Sequence, residues 1–239
     1  MTLHIGILVF PGVQQLDLAG PYEVFASIPD AKVHLMWKDR AAVTSATGLV
    51  LSPTMTFAEC PALDVLCVPG GGGINALLRD AEVLAFLRAQ ASRARYVTSV
   101  CTGALVLGAA GLLRGRRATT HWAAHDFLAK FGAIPTHGRV VRDGNLFTAG
   151  GVTAGIDFGL TVVAELLGET QAQAIQLAQE YAPEPPFRAG TPESAPPAAL
   201  AAAKERLAPM RKAREAIIAE IVASSFDDAK TLELRSESI

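Results

Sequence analysis

The sequence predicts an α/β protein in which a mostly parallel sheet is covered by helices on both faces. Short, continuous apolar runs such as HIGILVF, LDVLCV and RYVTSV alternate with segments of helical periodicity. Such runs are typical of strands that are buried on both faces of a sheet. The chain has 239 residues, half of them hydrophobic, which is enough for one such domain with an appendage.

The individual elements follow from local patterns. Gly132 closes a helix, and the Asp143-Gly144 pair predicts a hairpin turn between two extended runs. Extended segments are predicted at 4–10, 32–37, 48–53, 63–73, 95–100 and across the hairpin 139–151. Helices are predicted at 17–28, 81–94, 101–113, 121–132, 154–168 and 170–182.

Composition and charge exclude several classes of protein. The formal net charge is −2 and no basic stripe is visible, so neither nucleic acid nor an anionic membrane is an expected partner. No apolar run is long enough to cross a membrane, and the N-terminus lacks the pattern of a signal peptide. Three cysteines without paired spacing indicate a reducing compartment, so we expect a cytoplasmic protein.

A metal site is not expected. The five histidines are scattered, and only His121 and His125 have the spacing that can place two ligands on one helix face. No third ligand is evident, so a packing or surface role is favoured for both.

Cys101 is the strongest candidate for chemistry. It stands between the strand 95–100 and the helix 101–113, in the pattern Ser99-Val100-Cys101-Thr102-Gly103. This pattern has the form of a nucleophile elbow, with Cys in place of Ser. A helix N-terminus favours a thiolate, so the turn predicts an exposed sulfur with a lowered pKa. The alternative is a small apolar residue in a tight position, which is the interpretation we favour for Cys67. Cys60 is assigned no role.

Other candidate residues follow neighbouring strands and are expected at the same edge of the sheet. Asp17 follows the first strand, and its alternative role is that of a helix cap. Gly71 lies in a glycine run that lacks the Lys-Ser/Thr of a phosphate loop. The backbone N–H groups of Gly71 and Thr102 could support a developing negative charge. If Asp17 and Cys101 share a hydrogen bond, we expect Asp17 to be the protonated partner and the pair to titrate as a unit.

Several longer motifs resemble the PfpI-like superfamily of cysteine-elbow α/β proteins, and most closely its isocyanide-hydrating branch. The motifs are VQQLDLAGP, ARYVTSVCTG, LGAAGLL, GRRATTHWA, VVRDGNL, TAGIDF and EYAPEPPF. The resemblance implies a flavodoxin-like sheet, a homodimer and no cofactor. It places the nucleophile at Cys101, its acidic partner at Asp17 and the residue after the nucleophile at Thr102. The implied reaction is hydration of an isocyanide to an N-substituted formamide through a covalent thioimidate.

The sequence departs from parts of that superfamily. Its intracellular-protease members carry His after the cysteine where this chain has Thr102, and most members carry Glu at the position of Asp17. Without a His beside the sulfur, an amide hydrolase would lack its proton shuttle. Two alternatives stay open: a redox-sensing or ligand-binding protein without turnover, and an amidase-like domain related to AraC-type regulators.

The remaining chain forms an arm. Residues 183–197 are rich in Pro, and residues 198–225 have an amphipathic, alanine-rich pattern interrupted by Pro209, where a kink or break is expected. We therefore divide the chain into an α/β domain at 1–182 and an arm with a C-terminal helix at 183–239. The apolar stripe of that helix is expected to pack on the core or on a partner subunit.

Overall fold

The computed structural model describes residues 2–236, with side chains as far as Ser224. Its helices are α1 (Gln15–Ala26), α2 (Ile74–Leu77), α3 (Ala81–Ala91), α4 (Gly103–Ala109), α5 (Ala154–Leu167), α6 (Glu169–Ala178) and α7 (Pro197–Ser236), with a 3-10 helix at Trp122–Phe131. Its strands are β1 (His4–Leu8), β2 (Lys32–Trp37), β3 (Val43–Thr44), β4 (Val50–Leu51), β5 (Met55–Thr56), β6 (Val65–Val68), β7 (Tyr96–Val100), β8 (Arg117–Ala118), β9 (Ile134–Pro135), β10 (Val140–Asp143) and β11 (Leu146–Ala149).

A seven-stranded sheet organises the chain, in the order β10-β11-β7-β6-β1-β2-β5. All pairs are parallel except the β10–β11 hairpin, which confirms the predicted hairpin and mostly parallel sheet. Every residue of β6 and β7 is buried. Central strands are buried throughout only when helices cover both faces of the sheet. The predicted α/β class is therefore confirmed.

Two local predictions differ in detail from the structure. The extended segment 48–53 contributes β4 to a separate two-stranded sheet with β3, outside the main sheet. The predicted helix at 121–132 is a 3-10 helix, although it does end at Gly132 in the left-handed conformation. Periodicity over one or two turns does not distinguish 3-10 from α geometry, because both place residues i and i+3 close together.

The strand order brings the candidate residues to one edge of the sheet. Strands β11, β7, β6 and β1 are consecutive neighbours and parallel, so the loops that follow them meet. The loops after β1 and β6 are also joined directly: the Gln14 N–H donates to Gly70 O at 2.9 Å, and Val13 pairs with Gly71 in an isolated bridge. This edge is the usual ligand-binding position in open α/β sheets.

The C-terminal helix packs on the body of its own chain. Helix α7 lies against the 3-10 helix and α2, and Ile218 is buried in the core. Arg211 forms an ion pair with Asp126 at 2.6 Å. The helix continues through Pro209, so the predicted break does not occur. Residues 237–239 of the predicted arm lie outside the described residues.

Within the described chain, none of the helices combines the length and apolar character needed to cross a bilayer.

Candidate active site

Cys101 occupies a strained turn between β7 and α4. Its φ angle is +53°, which L-residues with a side chain rarely adopt. Three hydrogen bonds to the Cys101 backbone hold the turn. The Cys101 N–H donates to Ala149 O at 3.1 Å and to Gly150 O at 2.9 Å. The Thr120 hydroxyl donates to Cys101 O at 2.6 Å. Strain maintained by surrounding contacts is common at functional sites. The structure thus has the geometry of a nucleophile elbow, although only 6% of Cys101 is exposed.

Close packing behind the elbow depends on Gly103. A Cβ at this position would overlap the carbonyl oxygen of Val68. The absence of a side chain lets the start of α4 approach the end of β6, which brings Thr102 next to the glycine loop. The glycine of the Cys-Thr-Gly pattern is therefore required for the close packing of α4 against β6.

Asp17 neighbours the Cys101 side chain and is fully buried. Its Oδ2 atom accepts the Gly70 N–H at 2.9 Å, and its carboxyl group has the Cys101 side chain as a hydrogen-bonding neighbour. The alternative of a helix cap is wrong, because α1 begins at Gln15 and the Asp17 side chain bonds to a different loop.

Burial dominates the titration of this carboxyl. It raises the pKa of Asp17 from 3.8 to about 7, against the opposing hydrogen bonds from Gly70 and Cys101. Removal from water penalises the ionised form of an acid, which explains the direction. A carboxyl with a pKa near neutrality holds a transferable proton under ordinary conditions.

The sulfur is also less acidic than the sequence predicted. Burial, followed by the charge of Asp17, raises the pKa of the Cys101 thiol, and the N–H groups of Thr102 and Val152 oppose that shift. The prediction of a lowered pKa is wrong for the thiol considered alone, because it included the helix end and omitted the depth of the sulfur. The ionised Asp17 raises the pKa of the thiol, whereas the hydrogen bond from Cys101 lowers that of Asp17, so the carboxyl loses its proton first and the two groups titrate as a unit.

Gly71 and Thr102 are joined, in a way the sequence did not indicate. The Gly71 N–H donates to Thr102 Oγ1 at 3.1 Å. We expected this N–H to be available to a developing negative charge. In the structure it already donates to the Thr102 hydroxyl oxygen. Gly71 has a φ of +132°, and a Cβ there would lie 2.5 Å from both Gln14 N and Gly12 O. Only glycine fits this position without displacing the backbone.

A cavity of about 1090 Å³ is lined by Thr120 and Gly150, which bond to the Cys101 backbone, although Cys101 itself does not line it. One wall comes from the loops around the turn and includes Thr120, His121 and Val152. The other wall comes from the arm and α7 and includes residues 190–193 and Leu207. The sequence did not predict these walls, because no local pattern shows that the arm folds back over this edge of the sheet.

The other cysteines and histidines considered in the sequence pack or form hydrogen bonds within the fold. Cys67 is buried in β6, and Cys60 contacts Met36 Sδ through its sulfur at 3.3 Å. His121 caps the 3-10 helix by accepting the Ala123 N–H, whereas His125 stacks on His137 with ring centroids 4.2 Å apart. Each side chain therefore has a structural partner of its own.

A buried carboxyl next to a cysteine on a strained strand-to-helix turn defines a cysteine-elbow α/β protein. The family model of the DJ-1/PfpI family matches residues 4–165, and the chain belongs to this family.

Three relatives locate the chain within the family. It is 63% identical to an isonitrile hydratase of Pseudomonas putida over 217 residues, which span 91% of this chain and 95% of that protein. A solved structure of a ThiJ/PfpI family protein from Pseudomonas syringae superimposes with a TM-score of 0.89 at 49% identity, with 91% of each chain covered. The HTH-type transcriptional regulator GbdR of Pseudomonas aeruginosa is 34% identical over 146 residues, but these cover only 39% of its length.

Proposed function

We propose that this protein hydrates isocyanides, R–N≡C, to N-substituted formamides. The observation that carries the proposal is the Asp17–Cys101 pair, in which a buried acid with a pKa of about 7 adjoins a nucleophilic sulfur. The near full-length similarity to the isonitrile hydratase of Pseudomonas putida supports the same reaction. Isonitrile and isocyanide are two names for one functional group.

The first step joins the sulfur to the terminal carbon of the substrate. That carbon is an electrophile that becomes carbanion-like once it is attacked, so it requires a proton. The Asp17 carboxylate takes the proton of the Cys101 thiol as the sulfur forms the S–C bond, and it transfers that proton to the same carbon. The products are a thioimidate, Cys101–S–CH=N–R, and an ionised Asp17.

The second step adds water and releases the enzyme. The Asp17 carboxylate removes a proton from water as the oxygen attacks the thioimidate carbon, and it passes that proton to the substrate nitrogen, which leaves Asp17 ionised again. As the tetrahedral intermediate collapses, the hydroxyl proton passes to Asp17 and the C–S bond breaks. The formamide leaves, and the proton then passes from Asp17 to the sulfur. The site returns to a thiol beside an ionised carboxyl, so each turnover consumes one water.

Backbone and hydroxyl groups support these steps. The N–H groups of Thr102 and Val152 favour charge on the sulfur, both before attack and as it leaves. The Thr102 hydroxyl accepts from Gly71, which leaves its own proton free to bond to the substrate nitrogen. The substituent R would lie in the adjoining cavity.

The proposal gives the two parts of the chain different roles. We assign the chemistry to residues 1–182 and the outer wall of the substrate cavity to the arm at 183–239. We further propose a cytoplasmic homodimer that takes isocyanide and water without a metal or organic cofactor.

Incubation of the purified protein with a simple aliphatic isocyanide tests the function. We expect stoichiometric formamide and incorporation of ¹⁸O from labelled water. Mass spectrometry after rapid quenching should show Cys101 heavier by the mass of the isocyanide. A protein that binds the isocyanide without producing formamide would instead favour the ligand-binding alternative.

A further inference from the structure

Helix α7 carries one arginine into the core beside the proposed site. Arg214 is only 4% exposed. Its Nε donates to Asn75 Oδ1 at 2.9 Å, and its Nη2 donates to Gly71 O at 3.4 Å. Gly71 is also the residue whose N–H donates to Thr102 Oγ1. The guanidinium therefore binds the carbonyl group of Gly71, while the N–H group of the same residue bonds to Thr102 next to the elbow.

Arg214 places a positive charge in the interior of the protein without a carboxylate partner. Among the residues with described side chains, no other Lys or Arg is buried, and Arg214 forms no ion pair with a carboxylate. A buried charge without a counter-charge is costly. The Asp17–Cys101 pair carries one negative charge once Asp17 is ionised above about pH 7, and Arg214 lies within electrostatic reach of its sulfur.

The other ionisable groups near the site do not supply this charge. The pKa of His121 is lowered by burial and then by Arg214, so its ring is neutral at pH 7. Arg211 is engaged with Asp126. Burial lowers the pKa of Arg214 itself, whereas the charge of Cys101 raises it, so the two groups attract each other.

We propose that Arg214 is a positioning residue of this site, which holds the Gly71 segment against Thr102 and supplies the positive charge that balances the Asp17–Cys101 pair. The proposal rests on the proposed function for its kinetic consequence, but its electrostatic consequence needs no substrate. It also explains why the C-terminal helix belongs to the working site and is more than a surface attachment.

The pH dependence of Cys101 alkylation by iodoacetamide tests the charge. Mass spectrometry of the Cys101 peptide separates this reaction from those of Cys60 and Cys67. In the Arg214→Met variant we expect the midpoint of the profile to rise by about one pH unit, with alkylation about tenfold slower below the midpoint. Lys212→Met is the matched control, because it removes a positive charge from an exposed position of the same helix. Its midpoint should equal that of the parent.

Arg214→Lys separates charge from geometry. It should keep the parental midpoint but lower kcat more than KM changes, because an ammonium cannot hold Asn75 and Gly71 in a fixed fork. If Arg214→Met does not fold, as judged by circular dichroism and thermal melting, Arg214→Gln replaces it. A folded uncharged variant with the parental midpoint would overturn the charge role, and parental kinetics in Arg214→Lys would overturn the positioning role. If no variant or parent produces formamide, the proposed function fails while the alkylation result still decides the charge of Arg214.

Discussion

The Asp17 carboxyl accepts the backbone N–H of Gly70 at 2.9 Å, across 53 positions of sequence. This bond fixes the Oδ2 atom, while the Oδ1 atom accepts no hydrogen bond from the described residues. The carboxyl is therefore anchored through Oδ2, while Oδ1 is left without a fixed partner. An acid held in this way can exchange a proton with a small substrate without changing its rotamer.

Removal of the sulfur should abolish turnover and leave the fold intact. We expect Cys101→Ala to form no detectable formamide, because no covalent intermediate can form. Cys101→Gly should be equally inactive but more stable than Cys101→Ala by about 1 kcal/mol, since glycine tolerates the positive φ at this position. Chemical denaturation of the two variants measures that difference. Turnover by Cys101→Ala near the parental rate would exclude covalent catalysis.

Asp17→Asn should be inactive and should change how stability depends on pH. An acid with a folded pKa of about 7 and an ordinary value of 3.8 binds its proton more tightly when folded. Parental stability therefore falls as pH rises from about 4 to about 7, by up to about 4 kcal/mol. The asparagine amide does not ionise, so this loss of stability does not occur in the variant. The variant should therefore gain stability relative to the parent as the pH rises across that range. Denaturation at pH 4 and pH 8 measures the change, and a constant difference would contradict it.

Asp17→Glu should be slow for a steric reason. A Cβ built on Gly70 would lie 3.0 Å from Asp17 Oδ2 and 2.6 Å from Thr102 N, which shows how little space surrounds the carboxyl. An added methylene displaces either the carboxyl or the glycine loop. We expect a rate loss on the order of a hundredfold, as for a misplacement of about 1 Å, and a stability loss of about 1–3 kcal/mol. Steady-state kinetics and denaturation measure both; parental values would show that the site accommodates the longer acid.

Two neighbouring glycines provide a matched test of the loop after β6. A Cβ at Gly70 would meet Thr102 Oγ1 at 2.6 Å, whereas a Cβ at Gly72 would meet only the Met210 methyl at 4.0 Å. Gly70→Ala should therefore lose activity by a factor on the order of a hundred, through displacement of Thr102 and Asp17. Gly72→Ala should retain activity close to the parent. Equal effects in the two variants would mean that the loop adjusts freely and does not position the elbow.

The sequence by itself determined the class of fold and predicted that Cys101 and Asp17 lie at the same edge of the sheet. Strands such as Tyr96–Val100 are visible as apolar runs because burial on both faces excludes polar residues from them. Cys101 is visible because a strand-to-helix turn followed by Gly103 is a local pattern. Asp17 and Gly71 could be placed near it because the carboxyl ends of parallel strands share one edge.

Only the tertiary structure decided the direction of the pKa shifts in the pair and the position of the C-terminal helix. The thiol pKa depends on burial by distant segments and on the distance to Asp17, neither of which a local pattern contains. Arg214 appears in the sequence as one charge among several on an amphipathic helix. Its contact with Gly71 joins positions 143 residues apart. A contact of that kind exists only after α7 has folded back over the sheet edge, so no pattern in the neighbouring sequence could predict it.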